Sequence, residues 1–264
     1  MIVAFRRRLL DRFVLRPSQN ELDFGTKQRR FYESDGQRDE YFVGDLQPDQ
    51  TPDLLVVKFP GTAGRAERAT DWPGSILSGV HVRHCTWNAP GYGRSSGRPS
   101  LANLAKRATP FFLHLLEQID LTKTKVWLTG NSLGCTTATY LAGEFGDRVS
   151  GLVLRNPPPL IDTVKRVADR YPFGKLAHAI AESLPNELNL LHTAPKVGVA
   201  SVMLQSELDE LVPVTQQDSV FDRLPEPKRR VLMQGIGHGG LINDDHQADI
   251  AAAIEWLWSQ SRKD

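Results

Sequence analysis

A serine hydroxyl becomes a nucleophile at neutral pH only when a base takes its proton and a third group holds that base. Ser132 is the serine best placed for this chemistry. It stands in Gly130-Asn131-Ser132-Leu133-Gly134, after the apolar run Val126-Trp127-Leu128 and before a helical stretch that starts near Leu133. A tight strand-to-helix turn lifts such a serine above a sheet, and only small neighbours fit around it. The helix N-terminus beneath adds free N–H groups and positive dipole where an oxyanion would form. The five-residue pattern alone discriminates poorly, because Gly93-Arg94-Ser95-Ser96-Gly97 has it too. Gly97-Arg98-Pro99 follows Ser95 where a helix would have to begin, which puts Ser95 in a loop.

For a serine on such an elbow the partners follow in chain order, acid and then histidine. The acid is expected in Ser206-Glu207-Leu208-Asp209-Glu210-Leu211-Val212-Pro213, just past an apolar run. Ligand sites in parallel sheets cluster at that end of a strand. Asp209 is the first choice, with Glu207 and Glu210 as rivals, since Val212-Pro213 then opens a helix after a short loop. The base is expected at His238, embedded in Gly235-Ile236-Gly237-His238-Gly239-Gly240. His246 is the other histidine beyond Asp209 and lies at a helix start, while the remaining five precede the acid. Two backbone donors should face the oxyanion. One is the N–H of Leu133. The other belongs to Pro60-Gly61-Thr62-Ala63-Gly64, where Thr62 is the first choice and Ala63 the second.

These residues need a sheet to hold them. Strand-like runs fall at 28–33, 41–44, 54–59, 80–87, 125–129, 149–155, 199–204 and 230–233. Several are apolar throughout, as strands covered on both faces are. Helical spacing appears over 101–120 behind a Ser100 cap, and over 133–145, 214–224 and 241–259. Alternation of this kind predicts one α/β domain over residues 1–264, with a mostly parallel eight-stranded sheet flanked by helices. The first strands, joined by turns such as Ser34-Asp35-Gly36-Gln37, are expected to pair antiparallel at an edge. Residues 156–196 break the rhythm and predict a small helical lid, with Leu160, Ile161, Val164, Phe173, Leu176 and Ile180 as its apolar face.

Composition narrows the partners. With 32 basic and 31 acidic residues, the chain has no overall field to attract nucleic acid or an anionic membrane. The exception is local. In residues 1–13, Arg6, Arg7, Arg8 and Arg12 alternate with Ile2, Val3, Phe5, Leu9, Leu10 and Phe13. An interfacial helix is one reading, and a short helix laid against the domain is the simpler one. No secretory leader or membrane span is expected, and two cysteines suit a reducing cytoplasm. Without His-Glu-x-x-His, a paired Cys-x-x-Cys, or a phosphate loop ending Gly-Lys-Ser/Thr, neither metal nor cofactor is expected.

In this order the motifs Phe59-Pro60-Gly61-Thr62-Ala63-Gly64, Ala89-Pro90-Gly91-Tyr92-Gly93-Arg94-Ser95, Gly130-Asn131-Ser132-Leu133-Gly134, Asp209-Glu210-Leu211-Val212-Pro213 and Gly237-His238-Gly239 resemble the α/β-hydrolase superfamily. The likeness is to its serine-aminopeptidase-like and abhydrolase-domain branch, and runs from about residue 54 to 257. It implies the α/β-hydrolase fold, with nucleophile, acid and base at Ser132, Asp209 and His238 and a structural role for Ser95. Pro60 departs from the histidine common before that glycine, and Ala89 from an aspartate. The function implied is hydrolysis of a small-molecule acyl ester or thioester, with small or medium acyl groups favoured by the short lid. An acyltransferase, an aminopeptidase and a non-catalytic binding scaffold are the alternatives.

Overall fold

The computed structural model describes residues 2–172 and 174–261, and only the backbone of Leu176. Helix α1 (Ile2–Val14) precedes a hairpin of β1 (Gln28–Ser34) and β2 (Gln37–Gly44), followed by β3 (Leu54–Phe59) and β4 (Val82–Trp87). Next come α2 (Leu101–Leu116), β5 (Lys125–Asn131), α3 (Gly134–Glu144) and β6 (Gly151–Arg155). After β6 lie α4 (Leu160–Ala168) and the single-turn helices α5 (His178–Ala181) and α6 (Leu190–Thr193). The chain then runs through β7 (Ser201–Ser206), α7 (Val214–Phe221), β8 (Lys228–Met233) and α8 (Asp244–Ser261). The strands form one eight-stranded sheet in the order β1-β2-β4-β3-β5-β6-β7-β8. β1 and β4 pair antiparallel with β2, and every other neighbouring pair is parallel.

Strand periodicity divides the apolar side chains between the two faces. Leu55, Val57 and Phe59 of β3 join Val126 and Leu128 of β5 beneath α2 and α3. Leu54, Val56 and Trp127 point the other way and pack with Ile254 and Leu257 of α8. Both faces are covered, which is why these strands read as unbroken apolar runs. Cys85 and Cys135 are buried and unpaired, and burial pushes the Cys85 thiol up to about 12.

Several expected boundaries move. β2 begins at Gln37 rather than 41, because its first half buries charge instead of hydrocarbon: Arg107 pairs with Asp39 and Arg29 with Glu40. The last helix begins at Asp244 rather than 241. Leu241 is exposed, and Asp244 and Asp245 sit in the first turn, where carboxylates suit the helix dipole. β7 ends at Ser206, two residues beyond the expected strand, and β5 runs on to Asn131. Residues 156–196 are helical but only part of them roofs anything. Leu160, Leu184, Leu188, Leu190 and Ala194 belong to the main core. Ile161, Val164 and Ile180 pack against that core as well, and of the expected lid face only Leu160 and Val164, among the described residues, also line the cleft. Phe173 and the side chain of Leu176 lie outside the described residues.

Candidate active site

β5 lies in the middle of the sheet and carries the elbow. Ser132 follows it with φ +49°, a left-handed backbone that costs roughly 1–2 kcal/mol for a residue bearing a Cβ. The turn is over-determined by its neighbours. Ser132 N–H donates to the Arg155 carbonyl at 2.9 Å, and Cys135 N–H to the Ser132 carbonyl at 2.9 Å. A Cβ on Gly134 would run into the Phe59 carbonyl, and one on Gly130 into the Cys135 backbone. Glycine at both places is what lets α3 start directly against β3 and β5.

The three expected side chains meet. Ser132 Oγ is 2.8 Å from His238 Nε2, and His238 Nδ1 is 2.7 Å from Asp209 Oδ2. With Asp209 ionised, the imidazole carries its proton on Nδ1 and leaves Nε2 to accept from the serine. Asp209 is buried at the end of β7, and its other oxygen accepts from Leu211 N–H at 3.0 Å and Val212 N–H at 2.7 Å. Gln217 Nε2 adds a donor at 3.3 Å. The rivals are elsewhere. Glu207 accepts from Gly235 N–H, Glu210 is exposed, and His246 faces the Gln234 carbonyl. Ser95 is buried, donates to the Asn88 carbonyl at 2.6 Å and accepts from Glu40 N–H at 2.8 Å, so it staples its loop to β2.

Leu133 and Thr62 both line the cleft above Ser132, as does Ala63. Gly61 makes the approach possible: a Cβ there would stand 3.3 Å from Ser132 Cβ. The Thr62 carbonyl is held outward by Tyr92 Oη at 2.7 Å and Arg16 N–H at 3.3 Å. The N–H groups of Thr62, Ala63 and Leu133 donate to no acceptor among the described residues.

The cleft measures about 580 Å³, within the range of small-molecule sites. Its walls are mainly apolar: Val14 of α1, Leu160, Val164 and Val167 of α4, and Leu211 and Val212 past the acid. Among the described lining residues Arg16 and His238 are basic and none carries a carboxylate.

Sequence reasoning passed over the residues that hold the histidine loop. Asn156, at φ +51° just past β6, is fully buried. Its Nδ2 donates to the His238 carbonyl at 2.9 Å and to Ser206 Oγ at 3.0 Å, while its Oδ1 accepts from Ser206 N–H at 2.9 Å. Arg155 donates to the Gly240 carbonyl, and burial lowers its pKa. Their position offered the signal: a polar pair ending a buried strand beside the elbow's own strand. The contribution of α1 to the cleft was also unforeseen.

Comparison with known proteins agrees with this architecture. A family model for the alpha/beta hydrolase fold matches residues 71–194. An uncharacterized protein of Mycobacterium tuberculosis is 29% identical over 191 residues, which cover 71% of this chain and 63% of that one. Protein bem46 of Schizosaccharomyces pombe is 26% identical over 185 residues, covering 69% and 60%. The matched stretch thus spans somewhat under two thirds of these curated relatives. The structure of Est1E from Butyrivibrio proteoclasticus with ferulic acid bound aligns over 89% of this chain and 100% of that one, with a TM-score of 0.68 at 14% identity. The chain has the α/β-hydrolase fold.

Proposed function

We propose that the protein is a serine hydrolase that cleaves an acyl ester or thioester through an acyl-enzyme on Ser132. The observation that carries this reading is the continuous relay of Ser132 Oγ, His238 and Asp209 at 2.8 and 2.7 Å beneath an apolar cleft. Ser132 Oγ attacks the acyl carbonyl carbon as His238 Nε2 takes its proton. Asp209 stabilises the imidazolium so formed and keeps the ring oriented. The carbonyl oxygen becomes an oxyanion facing the N–H groups of Leu133 and Thr62, each such donor being worth roughly 10²–10³-fold in rate. Collapse expels the alcohol or thiol, which leaves with the proton from His238. Water then gives a proton to His238 and its oxygen to the acyl carbon, and Ser132 regains its hydrogen as the acid departs.

The walls favour an uncharged acyl group. An aminopeptidase must seat an ammonium group, and no carboxylate lines this cleft among the described residues. The test is intact-mass labelling by an organophosphonate, beside turnover of acyl esters of graded length and of thioesters. Wild type should be labelled, and Ser132→Ala should lose both labelling and at least roughly 10⁴-fold in kcat. Wild type that neither labels nor turns over any acyl substrate would make the chain a binding scaffold.

A further inference from the structure

Helix α1 is fixed to the body by one face only. Leu10 and Val14 are buried in the main core, and the Asp11 carboxylate accepts from Leu101 N–H at 2.8 Å, at the start of α2. Arg7 Nε donates to the Ser183 carbonyl at 3.1 Å. The opposite face is largely exposed, with Leu9 partly covered. There Ile2, Phe5, Leu9 and Phe13 recur at intervals of three and four residues, which places them in one stripe along the helix. Ile2, Phe5 and Phe13 are 68%, 63% and 60% exposed. Large apolar side chains gathered in one exposed stripe mark an interaction surface, where scattered ones would not.

What would cover the stripe follows from the charges beside it. On a helical projection Arg8 and Arg12 run along one edge and Arg6 along the other. Arg6 is close enough to Glu182 to help hold that carboxyl below its usual range, behind Lys165. Arg8 and Arg12 pair with no carboxylate among the described residues. Arg12, Arg16 and Arg98 line a groove that also holds Asp11. An apolar stripe flanked by unpaired arginines is the pattern of a helix lying in the interface of an anionic bilayer. The stripe is also continuous with the candidate site: Phe13 lines the cleft, and Tyr171, 68% exposed, stands at the same cleft.

We infer that α1 docks the protein on an anionic lipid surface and turns the Ser132 cleft toward it, so that acyl substrates enter from the lipid. Ile2, Phe5, Leu9 and Phe13 lie in the acyl boundary, and Arg8 and Arg12 at the level of the phosphates. Docking stands on the helix alone, whereas the origin of the substrate rests on the proposed hydrolase reading.

The test uses the full chain with vesicles of phosphatidylcholine, alone or mixed with phosphatidylserine. Wild type and Ser132→Ala should both co-sediment with the anionic vesicles, and added salt should release them. The double variant Ile2→Ser/Phe5→Ser, and separately Arg8→Glu, should each bind about tenfold more weakly. Both should melt like wild type and hydrolyse a soluble short ester at the wild-type rate, yet lose turnover of an ester carried in anionic vesicles. Absence of binding to anionic vesicles, or binding unchanged in both variants, overturns docking. So does a concentration-dependent rise in mass that the double variant abolishes, since a second copy would then cover the stripe. If Ser132→Ala binds while wild type hydrolyses nothing, docking stands and the hydrolase reading falls.

Discussion

Replacing Asn156 by alanine removes the clamp that ties the histidine loop to the sheet, and the structure sets the size of the effect. The lost Oδ1 leaves the Ser206 N–H inside the protein with no acceptor, at about 1–3 kcal/mol. The two lost donations, to Ser206 Oγ and the His238 carbonyl, add roughly 1 kcal/mol, because both acceptors can be partly resatisfied. Alanine at φ +51° adds about 1 kcal/mol of backbone strain. Together these predict a loss of about 3–5 kcal/mol, and a fall in Tm of roughly 6–20 °C for a chain of this length. Asn156→Gly should recover about 1 kcal/mol of that loss, since glycine accepts the left-handed backbone freely.

The kinetic effect is separable from the loss of stability. Asn156 does not line the cleft, so KM should stay within about twofold. His238, however, sits in a loop with glycines on both sides, and the Asn156 bond fixes its own carbonyl. A displacement near 1 Å costs on the order of 10²-fold, so kcat and the rate of phosphonate labelling should fall together by roughly 10–100-fold. The assay is ester turnover and labelling rate for Asn156→Ala and Asn156→Gly, read below the melting transition. A kcat within about twofold of wild type, in protein destabilised as expected, would show that the loop is positioned without Asn156.

Asp209→Asn should keep the fold and lower kcat by roughly 10⁴-fold, because the wrong imidazole tautomer then faces Ser132, as a melting curve beside ester turnover will show. Ser95→Ala should cost about 2 kcal/mol in a denaturant titration, through its two buried hydrogen bonds, while leaving Ser132 labelling intact. Gly134→Ala should fail to fold or lose more than about 3 kcal/mol, since its Cβ meets the Phe59 backbone, and soluble yield and melting will report it. His84 is buried, and burial, helped by Lys58, lowers its pKa from the ordinary 6.5 to about 4. The unfolded chain therefore binds this proton at a higher pH than the native one. The His84 contribution is intact above about pH 6.5 and declines as pH falls toward 4, by roughly 3 kcal/mol in all. His84→Leu should flatten that part of the stability curve.

What was legible in the sequence, and what was not, divides along the range of the interactions. Gly130 and Gly134 advertise the elbow because their constraint is local: each faces a backbone atom that any side chain would strike. Apolar runs advertise the central strands because both faces are covered. Where burial is charged the signal fails. Asp39 and Glu40 fall just before the expected strand at 41–44, yet both belong to β2 and are buried against arginines brought from α2 and β1. Asn156 signals only its place at the end of a buried strand and not its role, since its partners are fifty and eighty-two residues away along the chain.

Helix α1 shows why a periodic pattern can be plain and its meaning hidden. Its apolar residues fall on two faces, Leu10 with Val14, and Ile2 with Phe5, Leu9 and Phe13. Periodicity makes each a stripe and ranks neither as the inner one. The deciding residue is Asp11, the one acid in the helix, whose carboxylate is spent on the first N–H of α2. A buried acid beside Leu10 fixes that side as the inner one and turns the larger stripe outward. With the acid spent inside, the charge left on the outer side is arginine. The same contact carries the C-terminal turn of α1 to the rim, where Phe13 and Val14 complete the cleft above Ser132. The orientation of a thirteen-residue helix therefore couples the surface the protein presents to the mouth of the site it encloses.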